Sequence, residues 1–337
     1  MKILITGGAG YIGSTICSAL EDKGHEIIII DNLSSNGSKK KSCQNFYQND
    51  ISNIKALNQI ESEHKNIDAV IHCAAKIFVP ESVSNPSIYY EENVTKTLTL
   101  LNWMKKADIS NIIFSSTASL YRSAEDQVVT ENSELQPSSP YAKTKLSMEF
   151  ILEDFCNAYK MKCISLRYFN PIGADPKMRS GPNFSNSTHL LGKLIQAYES
   201  EDKKFTITGN NWNTKDGTGI RDYVHVWDLA EAHLKALERI NSITSTLSPF
   251  IPINIGSGTG LTVKEMVSIF EEVVGIELNT KIMEPRPGDV AGNFADITNA
   301  KNLLDWEPRM SIEQGIADAI KWYRKKSIWN DGWHEHT

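Results

Sequence analysis

Cysteine is scarce, with five among 337 residues: Cys17, Cys43, Cys73, Cys156 and Cys163. The number is odd and no Cys-x-x-Cys occurs. That argues against a disulfide framework and fits a reducing compartment, the cytoplasm. No apolar run approaches the ~18 residues of a membrane span; the densest early one is Ile27–Ile30. Met1 leads directly into Lys2-Ile3-Leu4-Ile5-Thr6, a strand-like stretch, whereas a secretory signal needs a longer apolar run and a cleavage site. Positive charge is in deficit as well: 35 Lys and Arg against 41 Asp and Glu leave −6. Such a chain is a poor generic partner for nucleic acid or an anionic membrane, so an anionic ligand must be held by a few local cations. The histidines are scattered and no His-Glu-x-x-His occurs, so no metal site is expected. Lys39-Lys40-Lys41 is too small a basic footprint for nucleic acid and reads as a solvated loop.

What is present supports a large core: 40% hydrophobic residues and seven Trp. The length suggests about two domains at ~100–200 residues each. Strand-like runs at Ile3–Thr6, Ile27–Ile30, Val70–Ala74, Ile112–Ser115 and Cys163–Arg167 alternate with helical patterns at Ile12–Lys23, 53–64, 86–106 and Ala142–Tyr159. Strands that read as unbroken apolar runs, alternating with helices, predict parallel βαβ units and a Rossmann-type, doubly wound α/β sheet over residues 1–170. After Pro171 the rhythm breaks. Residues 171–187 are rich in Pro, Gly, Asn and Ser and read as an ordered loop or a loop over a site. Helices resume near 188–200, 226–240, 262–274 and 311–326, with strands at 204–208 and 251–255. Residues 171–337 therefore read as a smaller mixed α/β substrate lobe, with some segments returning to the first domain.

Thr6-Gly7-Gly8-Ala9-Gly10-Tyr11-Ile12-Gly13 follows the first strand and opens the first helix. Gly7, Gly10 and Gly13 permit a tight turn and the close approach of a pyrophosphate, which the helix N-terminus meets with free N–H groups. Asp31 ends the second strand, 18 residues past Gly13. Its carboxylate suits an adenosine ribose and repels a 2′-phosphate, so NAD is favoured over NADP. Asp50, after the strand-like Asn45–Gln48, is placed to reach the adenine.

Tyr141 and Lys145 stand four residues apart at the start of a helix and so share one face. A tyrosine near pKa 10 is a poor base at neutral pH; lowering it by about three units takes roughly 4 kcal/mol. A buried ammonium together with a cationic nicotinamide supplies the right sign of charge. Upstream, Phe114-Ser115-Ser116-Thr117-Ala118-Ser119 follows a strand, and strand ends of this kind form the ligand edge of open α/β sheets.

These residues resemble the extended short-chain dehydrogenase/reductases, most closely their nucleotide-sugar 4-epimerase group. The likeness covers about residues 1–325. Besides Thr6–Gly13, Asp31-Asn32 and the Tyr141/Lys145 pair, it rests on Leu166–Ala174 (LRYFNPIGA) and Asp216–Val226 (DGTGIRDYVHV). The resemblance implies an isomerase that interconverts UDP-hexoses by inversion at C4 through a 4-keto sugar, with tightly bound NAD regenerated in each turnover. It implies that Tyr141 takes the proton of the 4-hydroxyl, that Lys145 lowers its pKa and holds the nicotinamide ribose, and that Thr117 stands beside the 4-oxygen. Tyr11, Ile12, Asp31, Asn32, Asp50, Ile51, Cys73, Ala74, Ala75, Asn93, Ser115 and Phe169 match NAD-contacting positions. Asn170, Arg221, Arg286 and Asp289 match positions holding the diphosphate and uridine, and His189 and Leu190 match two more. An arginine fork suits a diphosphate through paired, charge-assisted hydrogen bonds. The helices near 86–106 and 142–159 match the pair that forms a homodimer interface in the family.

The chain also departs from the pattern. Ile77 stands where many members carry Lys near the nicotinamide, Arg122 where Gly is usual, and Lys177–Ser187 lacks the usual Pro-Asn-Asn-Leu. Asn293 stands where a bulky Tyr restricts some members to plain hexoses; a smaller residue there leaves room for N-acetylhexosamines. Two other readings stay open at this point: a related epimerase or dehydratase, and a non-catalytic NAD-binding sensor. A 4,6-dehydratase places Asp-Glu after the Thr, where this chain has Ala118-Ser119, and sensors tend to lose the Tyr/Lys pair that is present here.

Overall fold

The computed structural model describes residues 1–34, 45–124, 127–184, 187, 189–285 and 291–331. The Lys39–Lys41 run, Cys43, Arg286 and Asp289 lie outside the described residues.

Seven parallel strands form the main sheet. From edge to edge the order is Phe250–Ile255, Lys162–Tyr168, Asn111–Ser115, Ala69–His72, Lys2–Thr6, Glu26–Asp31 and Phe46–Gln48. The chain therefore runs outward in one direction from Lys2–Thr6, returns, and runs outward in the other. That reversal is the topological switch of a doubly wound sheet, beside which ligands bind at the carboxyl ends of the strands.

The strands are apolar throughout because both faces are covered. Ile3, Ile5, Ile27 and Ile29 pack with Ile16, Leu20, Leu229 and Leu237 on one side. Leu4, Ile28 and Ile30 pack with Leu57, Leu101 and Trp103 on the other. Each fully buried aliphatic side chain contributes ~1.5–3 kcal/mol, so the alternation fixes which helix lies on which face. The covering helices include Tyr11–Asp22 and Val226–Thr246 on the first side, and Ile54–Glu63, Lys96–Lys106 and Pro140–Tyr159 on the second.

The long helix expected over 86–106 is present as one continuous helical run with a π turn inside it. Pro86–Tyr90 and Lys96–Lys106 are α-helical, but Glu91–Thr95 forms a π turn. Such turns insert one extra residue and often sit at functional sites. Here the turn carries buried Asn93 toward the sheet edge.

The second half supplies both the edge strand Phe250–Ile255 and the helix Val226–Thr246 to the large sheet. The rest builds a separate core of Leu194, Ile195, Phe205, Ile207, Phe270 and Ile320, among others. It contains a three-stranded sheet of Gly260–Thr262, Ile220–His225 and Asn170–Ile172, and the parallel pair Lys204–Thr208 and Asn279–Met283. The strands at 170–172, 220–225, 260–262 and 279–283 were not expected from the sequence. Asn170–Ile172 and Gly260–Thr262 are only three residues long, Asn279–Met283 is exposed along its length, and Ile220–His225 interrupts its apolar positions with Arg221 and Asp222.

The loop after Ala174 is bolted at both ends. Arg179 donates to Asp22 of the first helix at 2.8 Å, and Lys177 to the same carboxylate at 2.9 Å. Trp322 donates to the Pro182 carbonyl at 3.0 Å, and Lys325 to that of Met178 at 2.9 Å. The segment that departs from the family pattern thus fastens the first helix to the helix Ile312–Asp331.

Candidate active site

The register of the sheet gathers the reactive residues. Thr6 pairs with Ile30 and with His72, His72 with Phe114, and Ser115 with Leu166. Gly7, Asp31, Cys73 and Ser115 are therefore level with one another at a single edge. Gly7 has φ +70°, and a Cβ there would lie 2.7 Å from the Ala74 nitrogen; at Gly13 it would lie 2.2 Å from the Gly7 oxygen. Packing dictates both glycines. Gly13 serves the contact between helix and turn rather than between helix and sheet. Gly10 is different. It caps the helix Tyr11–Asp22 in extended conformation, and its Cβ would meet nothing closer than 3.4 Å. No neighbour in the fold demands glycine there. The space beside the helix N-terminus is open at this point, and its free N–H groups suit an anion such as a pyrophosphate.

Asp31 is buried and holds the turn itself: its carboxylate accepts from the Ala9 N–H at 2.9 Å and the Leu33 N–H at 2.8 Å. A carboxylate has about four acceptor sites, so two remain for a ribose. Asn32 donates to Asp50 at 3.1 Å, and Lys96 donates to the same oxygen at 2.7 Å. Partial burial pushes the Asp50 carboxyl up, but bonds from Lys96 and Ser52 outweigh it and hold it at about 2. Ile51 is buried beside it. The Tyr11 hydroxyl donates to the Gly173 carbonyl at 2.7 Å, joining the turn to the LRYFNPIGA segment.

Asn93 spends its amide on positioning. It accepts from the Lys76 N–H at 2.8 Å, donates to the Lys76 carbonyl at 3.0 Å and donates to Thr144 at 3.1 Å. The π turn thereby clamps the segment that carries Cys73, Ala74 and Ala75 against the helix of Tyr141. Ile77, the departure from the family's lysine, is exposed, while Lys76 pairs with Glu81 at 3.2 Å.

Pro140 and the Ser139 cap, which accepts from Ala142 at 3.2 Å, start the helix Pro140–Tyr159. This puts Tyr141 and Lys145 in its first two turns, both buried. The Lys145 ammonium donates to the Ser115 carbonyl at 2.8 Å and lies 4.8 Å from the centre of the Phe114 ring. The Thr117 hydroxyl lies near the Tyr141 phenol and favours its ionised form. Burial pushes that phenol up to about 12, against the pull of the Thr117 hydroxyl. Burial brings Lys145 down to about 8, opposed by Cys73 and Glu149. The lysine remains a cation at neutral pH, but the lowering of the phenol that the sequence required is reversed. Desolvation exceeds what the protein's own charges return, so basicity at Tyr141 takes an added positive charge.

Three partners of this cluster were missed. Tyr168 lies near Ser115, Tyr141 and Cys73, and burial pushes its phenol well up. His233 faces the Ser115 hydroxyl at 3.2 Å, with its other nitrogen on the Leu229 carbonyl at 2.9 Å. Glu149 continues the four-residue spacing of Tyr141 and Lys145, a signal that was there to be extended.

In the second lobe, Asn170 donates to the Asp222 carbonyl at 2.8 Å, and Phe169 is buried with Tyr121 and Ala295. Arg221 lies on the wall of a cavity of about 580 Å³ together with Leu190, Phe205, Trp212 and Tyr223. Its guanidinium also donates to the Ala291 carbonyl at 3.0 Å. His189 caps the neighbouring helix and is exposed. Asn293 is tied to the loop after Tyr121: it accepts from the Ala124 N–H at 3.0 Å and donates to the Arg122 carbonyl at 3.1 Å. Among the described residues no cluster of His, Cys, Asp or Glu is arranged to hold a metal, and no helix is long and apolar enough to cross a membrane.

A family model described as NAD dependent epimerase/dehydratase matches residues 3–256. The UDP-glucose 4-epimerase of Bacillus subtilis (strain 168) is 40% identical over 332 residues, covering 96% of each chain. Among solved structures, the Stenotrophomonas maltophila UDP-glucose 4-epimerase with bound NAD and formylated UDP-arabinopyranose superposes with a TM-score of 0.90 at 33% identity, over 97% of this chain and 99% of that one. The UDP-Glc/GlcNAc 4-epimerase of Campylobacter jejuni superposes with a TM-score of 0.81 at 34% identity, over 96% and 99%.

Proposed function

Because the chain belongs to the NAD-dependent epimerase/dehydratase family, we propose that it inverts C4 of UDP-hexoses through a transient 4-keto sugar, with NAD held tightly and regenerated in each turnover. The observation that carries the reading is the buried Tyr141 phenol one helical turn from Lys145, whose ammonium is held on the Ser115 carbonyl two residues before Thr117, at the sheet edge that Gly10 leaves open. Held by the Gly7–Gly13 turn and Asp31, NAD would supply a reversible hydride acceptor for C4.

The chain's own residues do the rest. Gly7, Gly10 and Gly13 admit the pyrophosphate, Asp31 takes the adenosine ribose, and Cys73, Ala74, Ser115 and Phe169 wall the nicotinamide half. Tyr141 takes the 4-hydroxyl proton and later gives it back. Thr117 holds the 4-oxygen, and Lys145 keeps the phenolate stabilised. Arg221, Asn170, His189 and Leu190, with Arg286 and Asp289, hold the nucleotide diphosphate, and the cavity beside Arg221 receives the uridine. Firm anchoring there leaves the sugar free to turn over between the two hydride transfers. Asn293 leaves room for the acetamido group of an N-acetylated substrate.

The division at 170/171 belongs to the same proposal, the first part serving NAD and the second mainly the UDP-sugar. Two copies pair through the helix faces that expose Leu98, Phe150 and Tyr159. The cytoplasm is the proposed compartment, on the strength of the free thiols of Cys17, Cys73, Cys156 and Cys163.

The test is incubation with UDP-glucose, UDP-galactose and their N-acetylated counterparts without added NAD, with products identified by NMR. C4 inversion of at least one pair supports the proposal. Turnover of none, together with no rise in reduced-nicotinamide absorbance, overturns it.

A further inference from the structure

Beneath the reactive edge lies a buried charge that the chemistry above does not use. Glu149 and Arg167 have side-chain exposures of 3% and 5%, and their closest atoms are 2.6 Å apart. One Glu149 oxygen accepts from Ser116 at 2.6 Å, Ser165 at 2.8 Å and Arg167 at 3.1 Å; the other accepts from Arg167 at 2.6 and 3.1 Å. The outer face of the guanidinium donates to the Tyr121 hydroxyl at 3.0 Å and the Glu131 carbonyl at 3.2 Å. Tyr121 in turn donates to Asn254 at 2.7 Å.

The elements joined in this way are those that carry the reacting groups. Glu149 sits one turn past Lys145 and two past Tyr141 on the same helix face. Ser116 sits between Ser115, whose carbonyl receives Lys145, and Thr117, whose hydroxyl lies near the phenol. One carboxylate therefore sets the spacing between the helix of Tyr141 and the strand end of Thr117. Stability alone does not call for an ion pair here, since a well-packed apolar pair of the same volume is often as stable or more so.

We propose that Glu149 is a positioning residue of the 4-epimerase reaction, holding the Tyr141–Lys145 helix turn and the Ser115–Thr117 strand end in catalytic register. The inference rests on the epimerase reading. The titratable groups facing this pair are Lys145 on its own helix, Cys163 on the neighbouring strand, and Tyr121 and Glu131 from the crossing loop; Lys145 also faces Cys73 and His72. Glu149 favours the charged form of Lys145. Its removal therefore moves the alkaline loss of activity to lower pH.

The experiment compares Glu149→Gln and the double variant Glu149→Leu/Arg167→Met with wild type, each NAD-loaded. Displacing the reacting groups by about 1 Å costs ~10²-fold. Glu149→Gln is expected to lose about that much kcat, with KM for the UDP-sugar little changed and the alkaline limb displaced to lower pH. The double variant removes the risk of an unpaired buried charge. It is expected to recover thermal stability while kcat stays low. Recovery of kcat along with stability, or a Glu149→Gln enzyme with wild-type kcat and pH profile, overturns the proposal. If wild type turns over no UDP-sugar, the epimerase reading fails separately. The ultraviolet titration of the Tyr141 phenol, identified as the signal lost in Tyr141→Phe, then decides: an unchanged titration in both Glu149 variants overturns the positioning role, and a shifted one upholds it.

Discussion

Asp31 accepts the Ala9 backbone N–H at 2.9 Å, so the carboxylate that ends the second strand holds the glycine turn that follows the first. The residue expected to face the ribose also preshapes the pyrophosphate cradle. Asp31→Ala removes a charged acceptor from two buried or half-buried N–H groups, a loss of about 1.5–3 kcal/mol for hydrogen bonds to a charged group. NAD affinity is expected to fall ~10–100-fold, and NADP, freed from repulsion, to fall less. Fluorescence titration with both reduced dinucleotides checks this; equal losses for the two remove the role in discrimination.

Tyr141→Phe keeps the ring and deletes the proton acceptor. General acid–base catalysis contributes ~10²–10⁴-fold, so kcat should drop by that range while UDP and NAD remain bound. Full turnover in this variant reassigns the base, with Tyr168 the first replacement to examine.

Lys145 is stored at a cost. Burial lowers its pKa to about 8 from 10.5, and a shift of that size corresponds to ~3 kcal/mol at 1.36 kcal/mol per unit. The bond from this ammonium to the Ser115 carbonyl is charge-assisted and returns about 1.5–3 kcal/mol. A cation whose folded pKa lies below its unfolded value destabilises the fold below the folded pKa, and the penalty fades as pH rises from about 8 toward 10.5, where the unfolded chain binds the extra proton. Lys145→Met is therefore expected to be inactive yet more stable at pH 7 by at most about 1.5 kcal/mol, with its advantage shrinking above pH 8. Denaturant unfolding at pH 7 and 9.5 measures both; an advantage that grows with pH contradicts the sign.

Asn293 is bound to the loop of Arg122 and Ala124 through both ends of its amide. Asn293→Tyr fills the space and frees the loop, whereas Asn293→Ala only frees the loop. The tyrosine variant should lose more kcat/KM on N-acetylated than on plain UDP-hexoses, and the alanine variant should lose equally on both. Equal losses for tyrosine leave loop anchoring as the residue's role and remove the gate.

The first half of the fold was legible because its strands are buried on both faces. Ile27–Ile30 and Ile112–Ser115 declare themselves by composition alone, and the Gly7–Gly13 turn and the Tyr141/Lys145 spacing sit where that sheet positions them. What escaped depends on contacts between distant segments. The Glu91–Thr95 π turn is set by Asn93 reaching Lys76 and Thr144. His233 meets Ser115 across 118 positions. Strands such as Asn279–Met283 are specified by a partner rather than by their own pattern. The direction of the Tyr141 shift escaped too, because spacing along a helix says which charge is near but not how dry the site is.

The edge strand Phe250–Ile255 and the helix Val226–Thr246 arrive late in synthesis yet complete a sheet begun at Lys2. A nascent chain that has reached residue 170 carries six of the seven strands with one face bare of its principal cover and the Lys162–Tyr168 backbone unpaired along one side. Such a ribosome-bound intermediate is apolar and open to pairing with other chains. Its passage to the native state waits on about 85 further residues at ~5–20 residues per second, an interval of several seconds in which that surface stays uncovered.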